Sequence, residues 1–189
     1  MADLAATGGP AAVDGEQAIG LGGPGLQTGT VFVTVGSMLP FDRLVQAVDM
    51  WAAAHPLVDT FIQIGDGEYL PRHAPWARRL TPADFGQRVA ACDLFVAHAG
   101  IGSIVQALEA SKQILVFARH ASLGEHTTDH QLDTVARFRD TPGLAVADDV
   151  PALGGAMSAL LSRPMRVDQR LGAFGPSGLV ARIRDFLVS

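Results

Sequence analysis

A doubly wound α/β domain built on one parallel sheet is the fold this sequence predicts, on three observations. Short β-branched and aromatic runs of strand length recur between residues 30 and 150. Segments with apolar residues at helical spacing separate them, and glycine follows several runs where a strand must turn sharply. Strands alternating with helices imply parallel pairing, with helices covering both faces of the sheet.

The elements follow in order. Thr30-Val-Phe-Val-Thr-Val35 is a buried strand closed by Gly36 and Ser37. Phe41, Leu44, Val45, Val48 and Trp51 then recur at helical spacing until Pro56 stops the run. Residues 60–64 form the next strand, closed by Gly65. Residues 66–80 are rich in Pro and Arg and irregular, with a short strand near Trp76. A helix over 83–90 precedes a strand at 93–97, and His98 to Ser103 open a helix that ends near Ala110. Residues 113–118 are the fourth clear strand. A polar loop, 119–126, leads into a helix through Phe138, then an edge strand at 144–146 and helices near 151–161 and 178–187. The last carries an apolar stripe of Leu179, Val180, Ile183, Phe186 and Leu187, which suits core packing or contact with a partner. No internal repeat is present.

Composition sets the limits. At 189 residues the chain suits one domain and a tail; 48% hydrophobic and 17% charged residues supply a core. Residues 1–29, with eight glycines and two prolines, read as a disordered tail ahead of a domain at 30–189. That tail has no secretory pattern, and nothing approaches the ~20 apolar residues of a membrane span. A net charge of −5, with Lys112 the only lysine, excludes a general nucleic-acid binder. The single cysteine, Cys92, excludes a disulfide framework and reads as core; the expectation is a cytoplasmic protein.

In such sheets ligands bind beyond the carboxyl ends of the strands, which singles out residues 36–42, 65–69, 98–103 and 119–131. His98, Ala99, Gly100, Ile101, Gly102 and Ser103 place two glycines at a helix start, where unpaired N–H groups and the helix dipole attract a diphosphate. A plain strand-to-helix turn is the competing reading. The turn matches neither Gly-x-Gly-x-x-Gly nor a P-loop. Gly36 and Ser37 can add a hydroxyl and an N–H to the same anion. The 119–131 loop carries Arg119, His120, Glu125, His126, Asp129, His130 and Gln131, which suit the many hydrogen bonds of sugar recognition. A plain solvated loop competes, as does a metal held by His126 and His130 at i,i+4, although the His-Glu-x-x-His order is missing. Asp66 and Glu68 are the nearest approach to a paired-carboxylate clamp; no Asp-x-Asp and no Gly-x-Ser-x-Gly exists.

Taken in order, Val33-Thr-Val-Gly-Ser37 with Phe41-Asp-Arg-Leu-Val45, Gln63-Ile-Gly65, the run from Asp93 to Ile104, Arg119, Glu125-His126 and Asp129-His-Gln131 resemble one family. It is the C-terminal, donor-binding domain of glycosyltransferase family 28. Its single-domain members are most similar: PssE-like exopolysaccharide subunits and the catalytic subunit of the eukaryotic dolichol-linked chitobiose-forming transferase. The resemblance implies half of a GT-B enzyme that binds a UDP-sugar. The 98–103 turn and Ser37 would hold the diphosphate, and His130 and Gln131 the hydroxyls of the transferred sugar. It implies inverting transfer with no metal or other cofactor. It further implies a membrane-anchored, PssD-like partner that holds a lipid-diphosphate-linked acceptor at the inner face of the membrane. The sequence shows no unambiguous general base; Glu125 and His126 are candidates, with a partner residue as the alternative.

Three departures from the family pattern stand out. Gln106 occupies the place of a ribose-binding Glu, losing a charge-assisted acceptor. Ser111-Lys-Gln113 replaces Gly-Lys-Pro, so strain is expected at a helix end normally closed by glycine. Ala118-Arg119 replaces Pro-Arg. The expectation is a donor-binding catalytic subunit for glucuronate or N-acetylglucosamine; Arg119 or Arg72 can pair a glucuronate carboxylate. The alternatives are a non-catalytic scaffold, which Gln106 favours, and a UDP-sugar epimerase, which would need two domains in one chain.

Overall fold

A computed structural model describes residues 27–167. The elements are β1 (Gly29–Thr34), α1 (Asp42–Ala54), β2 (Val58–Gln63), β3 (Trp76–Ala77), α2 (Pro82–Ala91), β4 (Leu94–His98), α3 (Ile101–Glu109), β5 (Ile114–Phe117), a 3₁₀ turn (Ala121–Leu123), α4 (His130–Phe138), β6 (Leu144–Ala147) and α5 (Val150–Ser162). All strand pairs are parallel, in the order β3-β2-β1-β4-β5-β6. The fold is the doubly wound sheet the sequence predicts.

Alternation along β1 explains both layers. Val31, Val33 and Val35 enter one core with Leu44, Val48 and Trp51 of α1 and Leu153 and Met157 of α5. Phe32 points the other way, into a core with Val89 of α2, Ile104 and Leu108 of α3, and Val135 and Phe138 of α4. A period of two on a strand buried on both faces yields two apolar sets rather than one. Register aligns Phe32 with Phe61 of β2 and Phe95 of β4. Phe32 stacks on Phe95 at 5.4 Å and meets Phe85 of α2 edge-on at 5.1 Å.

Local chemistry sets the boundaries. Thr81 caps α2 by accepting from Asp84 N at 3.1 Å; Asp149 caps α5 through Ala152 N at 2.7 Å, each followed by a proline in the first turn. β1 begins at Gly29, one residue earlier than expected, and Gln27 donates to Ser158 O of α5 at 2.6 Å. β2 begins two residues early, at Val58. The short strand expected near Trp76 is β3, and just before it Pro75 O accepts from Ile62 N at 3.0 Å. Residues 64–74 look irregular in sequence because their organiser is remote. The buried Asp49 carboxylate of α1 accepts from Tyr69 Oη and from the N–H groups of Arg72, His73 and Ala74, all at 2.8–3.1 Å. Burial pushes its pKa up, but those bonds outweigh burial and leave it below the usual carboxylate value.

The helix end at Ser111 carries the expected strain. Lys112 N bonds to Ala107 O at 2.8 Å and Ser111 N to Leu108 O at 3.1 Å, a Schellman closure. Ser111 has φ +52°, alone among the described non-glycine residues in being left-handed, and its buried hydroxyl has no partner. α4 begins at His130, later than expected, because residues 121–129 form the 3₁₀ turn and its hydrogen-bonded exit. The helix expected at 178–187 lies outside the described residues, as does most of the expected tail.

Candidate functional site

Chain order reverses between β1 and β4, and there, beyond the strand ends, a cleft of about 510 Å³ opens. Gly36, Ser37, His98, Gly100, Gly102, Ser103, Gln106, Arg119, His126, His130 and Gln131 line it. Three of the four expected segments therefore meet. The 65–69 segment does not join them. Arg78 Nη1 donates to Gly65 O and Gly67 O, Glu68 N donates to Asp42, and Asp66 pairs with Arg79 on the surface.

The glycines serve two purposes. A Cβ on Gly36 (φ +80°) would lie 2.5 Å from His98 Cε1, and one on Gly100 would lie 2.2 Å from His98 Nε2. These two glycines make room for the imidazole. Gly102 differs: a Cβ there meets nothing within 4 Å, so its bare backbone faces open space in the cleft. Ser103 N and Ile104 N bond to Gly100 O at 3.1 and 3.2 Å, whereas the N–H groups of Ile101 and Gly102 precede the first intrahelical bonds. α3 thus starts at the cleft with donors available and its positive dipole end forward. Ala99 and Ile101, both expected site residues, do not line the cleft: Ala99 is fully buried and Ile101 packs against the second core. Their contribution is limited to the backbone.

His98 is held neutral. Burial, then the Arg119 charge, lower its pKa to about 4, and its buried Nδ1 has no hydrogen-bond partner. His126 is shifted down too, by burial and then by His130, whose ring lies edge-on at 4.3 Å. Thr128 Oγ1 sits 2.8 Å from His130 Nδ1. Among the described residues, none that lines the cleft is acidic. Hydroxyls, amides, imidazoles and one arginine form a surface for an anion and for hydroxyl groups.

The rest of the polar loop serves the fold. Arg119 is 3% exposed; its Nη2 donates to Val35 O at 2.7 Å and to Leu39 O, and its guanidinium lies over Phe41 at 4.9 Å. Burial brings its pKa down to about 10, with Glu125 pulling it back up, so it stays cationic at neutral pH. Gln131 is equally buried, and its Oε1 accepts from Arg119 N at 3.1 Å, so only its amide N–H remains for a guest. Glu125 is gripped by Arg43 through two 2.7 Å bonds and accepts from His120 N at 3.0 Å; it is no free base. Asp129 accepts from Ala121 N at 2.8 Å and lies off the cleft, as does Arg72. Among the described residues no group of three or more His, Cys, Asp or Glu is arranged to hold a metal ion. Cys92 is buried, and burial raises its thiol pKa to about 11.

Sequence reasoning missed two parts of the cleft. Thr34 and Gln63 line its floor, joined by a 2.8 Å bond, and Leu80, Pro82 and Phe85 form an apolar wall, with exposed Met38 at the rim. Leu80 and Phe85 read as ordinary apolar positions at a helix start; no polar signal marks them.

The structure is a six-stranded doubly wound α/β domain whose cleft opens at the topological switch point. The chain belongs to the glycosyltransferase family 28 C-terminal domain, whose model matches residues 30–141. Among solved structures it is similar to the glycotransferase of kitacinnamycin (TM-score 0.54, 21% identity, covering 83% of this chain and 39% of that one). It is also similar to CalG4, the calicheamicin glycosyltransferase (0.53, 16%, 87% and 44%). Against the NMR structure of ALG13 the values are 0.57, 15%, 84% and 96%. The chain thus spans about two fifths of the first two proteins and nearly all of the third. No curated protein matches the sequence.

Proposed function

We propose that this chain is the donor-binding subunit of a two-protein glycosyltransferase. It would use a UDP-sugar to extend a lipid-diphosphate-linked acceptor carried by a membrane-anchored partner. The observation that carries this reading is the start of α3: open N–H donors at Ile101 and Gly102, with no Cβ at Gly102, in a cleft without carboxylates. Their place at the switch point of a family 28 domain makes the diphosphate the natural guest.

Roles follow from chemistry. The diphosphate sits on α3, with Ser37 and Ser103 adding hydroxyls. Gln106, exposed one turn beyond Gly102, reaches the ribose. Leu80, Pro82 and Phe85 offer an apolar wall to the base, and His126, His130 and the Gln131 amide meet the sugar. In an inverting transfer the acceptor oxygen bonds to the anomeric carbon as the bond to the UDP oxygen breaks. The acceptor proton passes to a base, and the helix N-terminus stabilises the charge gathering on UDP. Glu125 is excluded as that base by its ion pair with Arg43; neutral His126 or a partner residue fills the role. An acid-free lining accommodates glucuronate as well as N-acetylglucosamine.

In this reading a partner supplies acceptor binding and membrane attachment. Among the described residues no helix is long and apolar enough to cross a membrane. A cytoplasmic location in polysaccharide assembly fits this reading. Gln106 supports a second reading, a non-catalytic scaffold, because it lacks the charge-assisted acceptor for a diol. The test is transfer from UDP-glucuronate and UDP-N-acetylglucosamine to lipid-linked acceptor, with and without the co-expressed membrane partner. Activity only in the pair is expected. Turnover by the isolated chain overturns the two-protein model, and inactivity of the pair despite UDP binding supports the scaffold.

A further inference from the structure

Two arginines cross the cleft region in opposite directions. Arg43, at the start of α1 after β1, reaches the loop after β5: its Nε and Nη2 grip Glu125 at 2.7 Å each, and Nη2 also donates to Ala118 O at 2.9 Å. Arg119, in the loop after β5, reaches back to Val35 O and Leu39 O after β1. β1 and β5 are not neighbours; β4 lies between them and ends in His98. The two straps therefore bridge the strand that carries the glycine turn. Aromatic rings back them: the Arg43 guanidinium lies 4.2 Å from the Phe117 ring centre and 5.3 Å from Phe41, which Arg119 also covers.

From this geometry we infer that Arg43 is a positioning residue for the sugar side of the cleft. It holds the segment bearing His126 and His130 against the start of α1. The Arg43–Glu125 pair suits the task. A bidentate fork fixes orientation as well as distance, and side-chain exposures of 22% and 11% shield it from screening. Glu125 passes the restraint on through its bond from His120 N, and Asp129 fixes the far side of the turn through Ala121 N. α3 has no bond to this network in the hydrogen bonds described, so diphosphate and sugar contacts are separately anchored. Arg43 lies outside the cleft lining and touches no guest; its effect is transmitted through the loop.

The inference rests on the donor-site reading for its binding consequence, but not for its structural one. The experiment uses the full chain with Arg43→Met, Arg43→Lys and Glu125→Gln. Amide hydrogen exchange is followed in residues 119–131 and in α3, and affinities are measured for UDP, UDP-glucuronate and UDP-N-acetylglucosamine. Losing a charge-assisted pair should speed exchange in 119–131 by about tenfold or more, with α3 unchanged. UDP-sugar binding should weaken by about 5–30-fold while UDP changes by less than about twofold, with Arg43→Lys intermediate. Unchanged loop exchange in both Arg43→Met and Glu125→Gln overturns the strap. Equal losses for UDP and UDP-sugar overturn its assignment to the sugar side. If the wild type binds none of the three nucleotides, the donor reading fails, and the exchange arm still decides the strap. Should Arg43→Met not fold, Glu125→Gln tests the same pair without removing the guanidinium stack.

Discussion

The turn at 98–103 and the loop at 119–131 face the same cleft, yet they spend their polar groups in opposite ways. The turn has two polar side chains, His98 and Ser103, and leaves its backbone donors at Ile101 and Gly102 open. The loop is crowded with functional side chains and commits most of them internally: Arg119 to Val35 and Leu39, Gln131 to Arg119, Glu125 to Arg43, Asp129 to Ala121. Polar density in a sequence therefore overstates recognition chemistry. Much of it is needed to hold a long loop in one conformation, since its own backbone and buried charges must be satisfied.

The largest expected effect comes from closing the open half. Gly102→Asp has room for its side chain and should fold normally, but it sets a carboxylate at the site proposed for the diphosphate. UDP affinity should fall by about 100-fold or more, measured by calorimetry. A fall of less than about threefold would move the anion elsewhere.

The second prediction separates free from committed loop residues. His130→Ala should weaken UDP-sugar use by about 5–30-fold relative to UDP binding with little change in Tm. Gln131→Ala should act mainly on stability, costing about 1–3 kcal/mol because the buried Arg119 N–H loses its acceptor. Thermal melts and steady-state kinetics on both variants distinguish the two. If Gln131→Ala leaves Tm unchanged, the residue belongs with the sugar contacts instead.

A third prediction concerns His98, the imidazole between the two glycines. Its folded pKa, about 4, lies below the ordinary value of 6.5, so the unfolded chain binds the proton more readily. Its contribution is present above about pH 6.5 and is lost as pH falls towards 4. His98→Asn should flatten the stability profile across that window in urea melts; an unchanged slope would show that His98 titrates normally. The smallest effect is at Ser111, where Ser111→Gly should add about 1 kcal/mol by relieving the left-handed backbone. A loss of stability there would mean that the hydroxyl is satisfied.

These contrasts explain what was legible in the sequence. The strand–helix alternation and a sheet covered on both faces follow from runs such as Val31 to Val35, and the open turn follows from glycine placement; the strand order is visible only in the structure. The Ser111 strain was legible because a helix end there demands a left-handed residue. The roles of Glu125, Gln131 and Arg119 were not, because their partners lie up to 84 positions away and no local pattern encodes them. Asp49 organises residues 69–74 in the same way, from 20 or more positions away. The apolar wall of Leu80, Pro82 and Phe85 escaped notice for another reason: apolar residues facing a ligand look the same as apolar residues facing a core.

The central claim is that the start of α3 is a diphosphate site that works through backbone donors. Calorimetric titration of the full chain with UDP in the presence of EDTA, with amide exchange read at Ile101 and Gly102, tests it most directly. The account predicts saturable binding that EDTA leaves intact, slowed exchange at those two amides, and loss of both in Gly102→Asp. Absence of binding, binding abolished by EDTA, or protection confined to the 119–131 loop would contradict it.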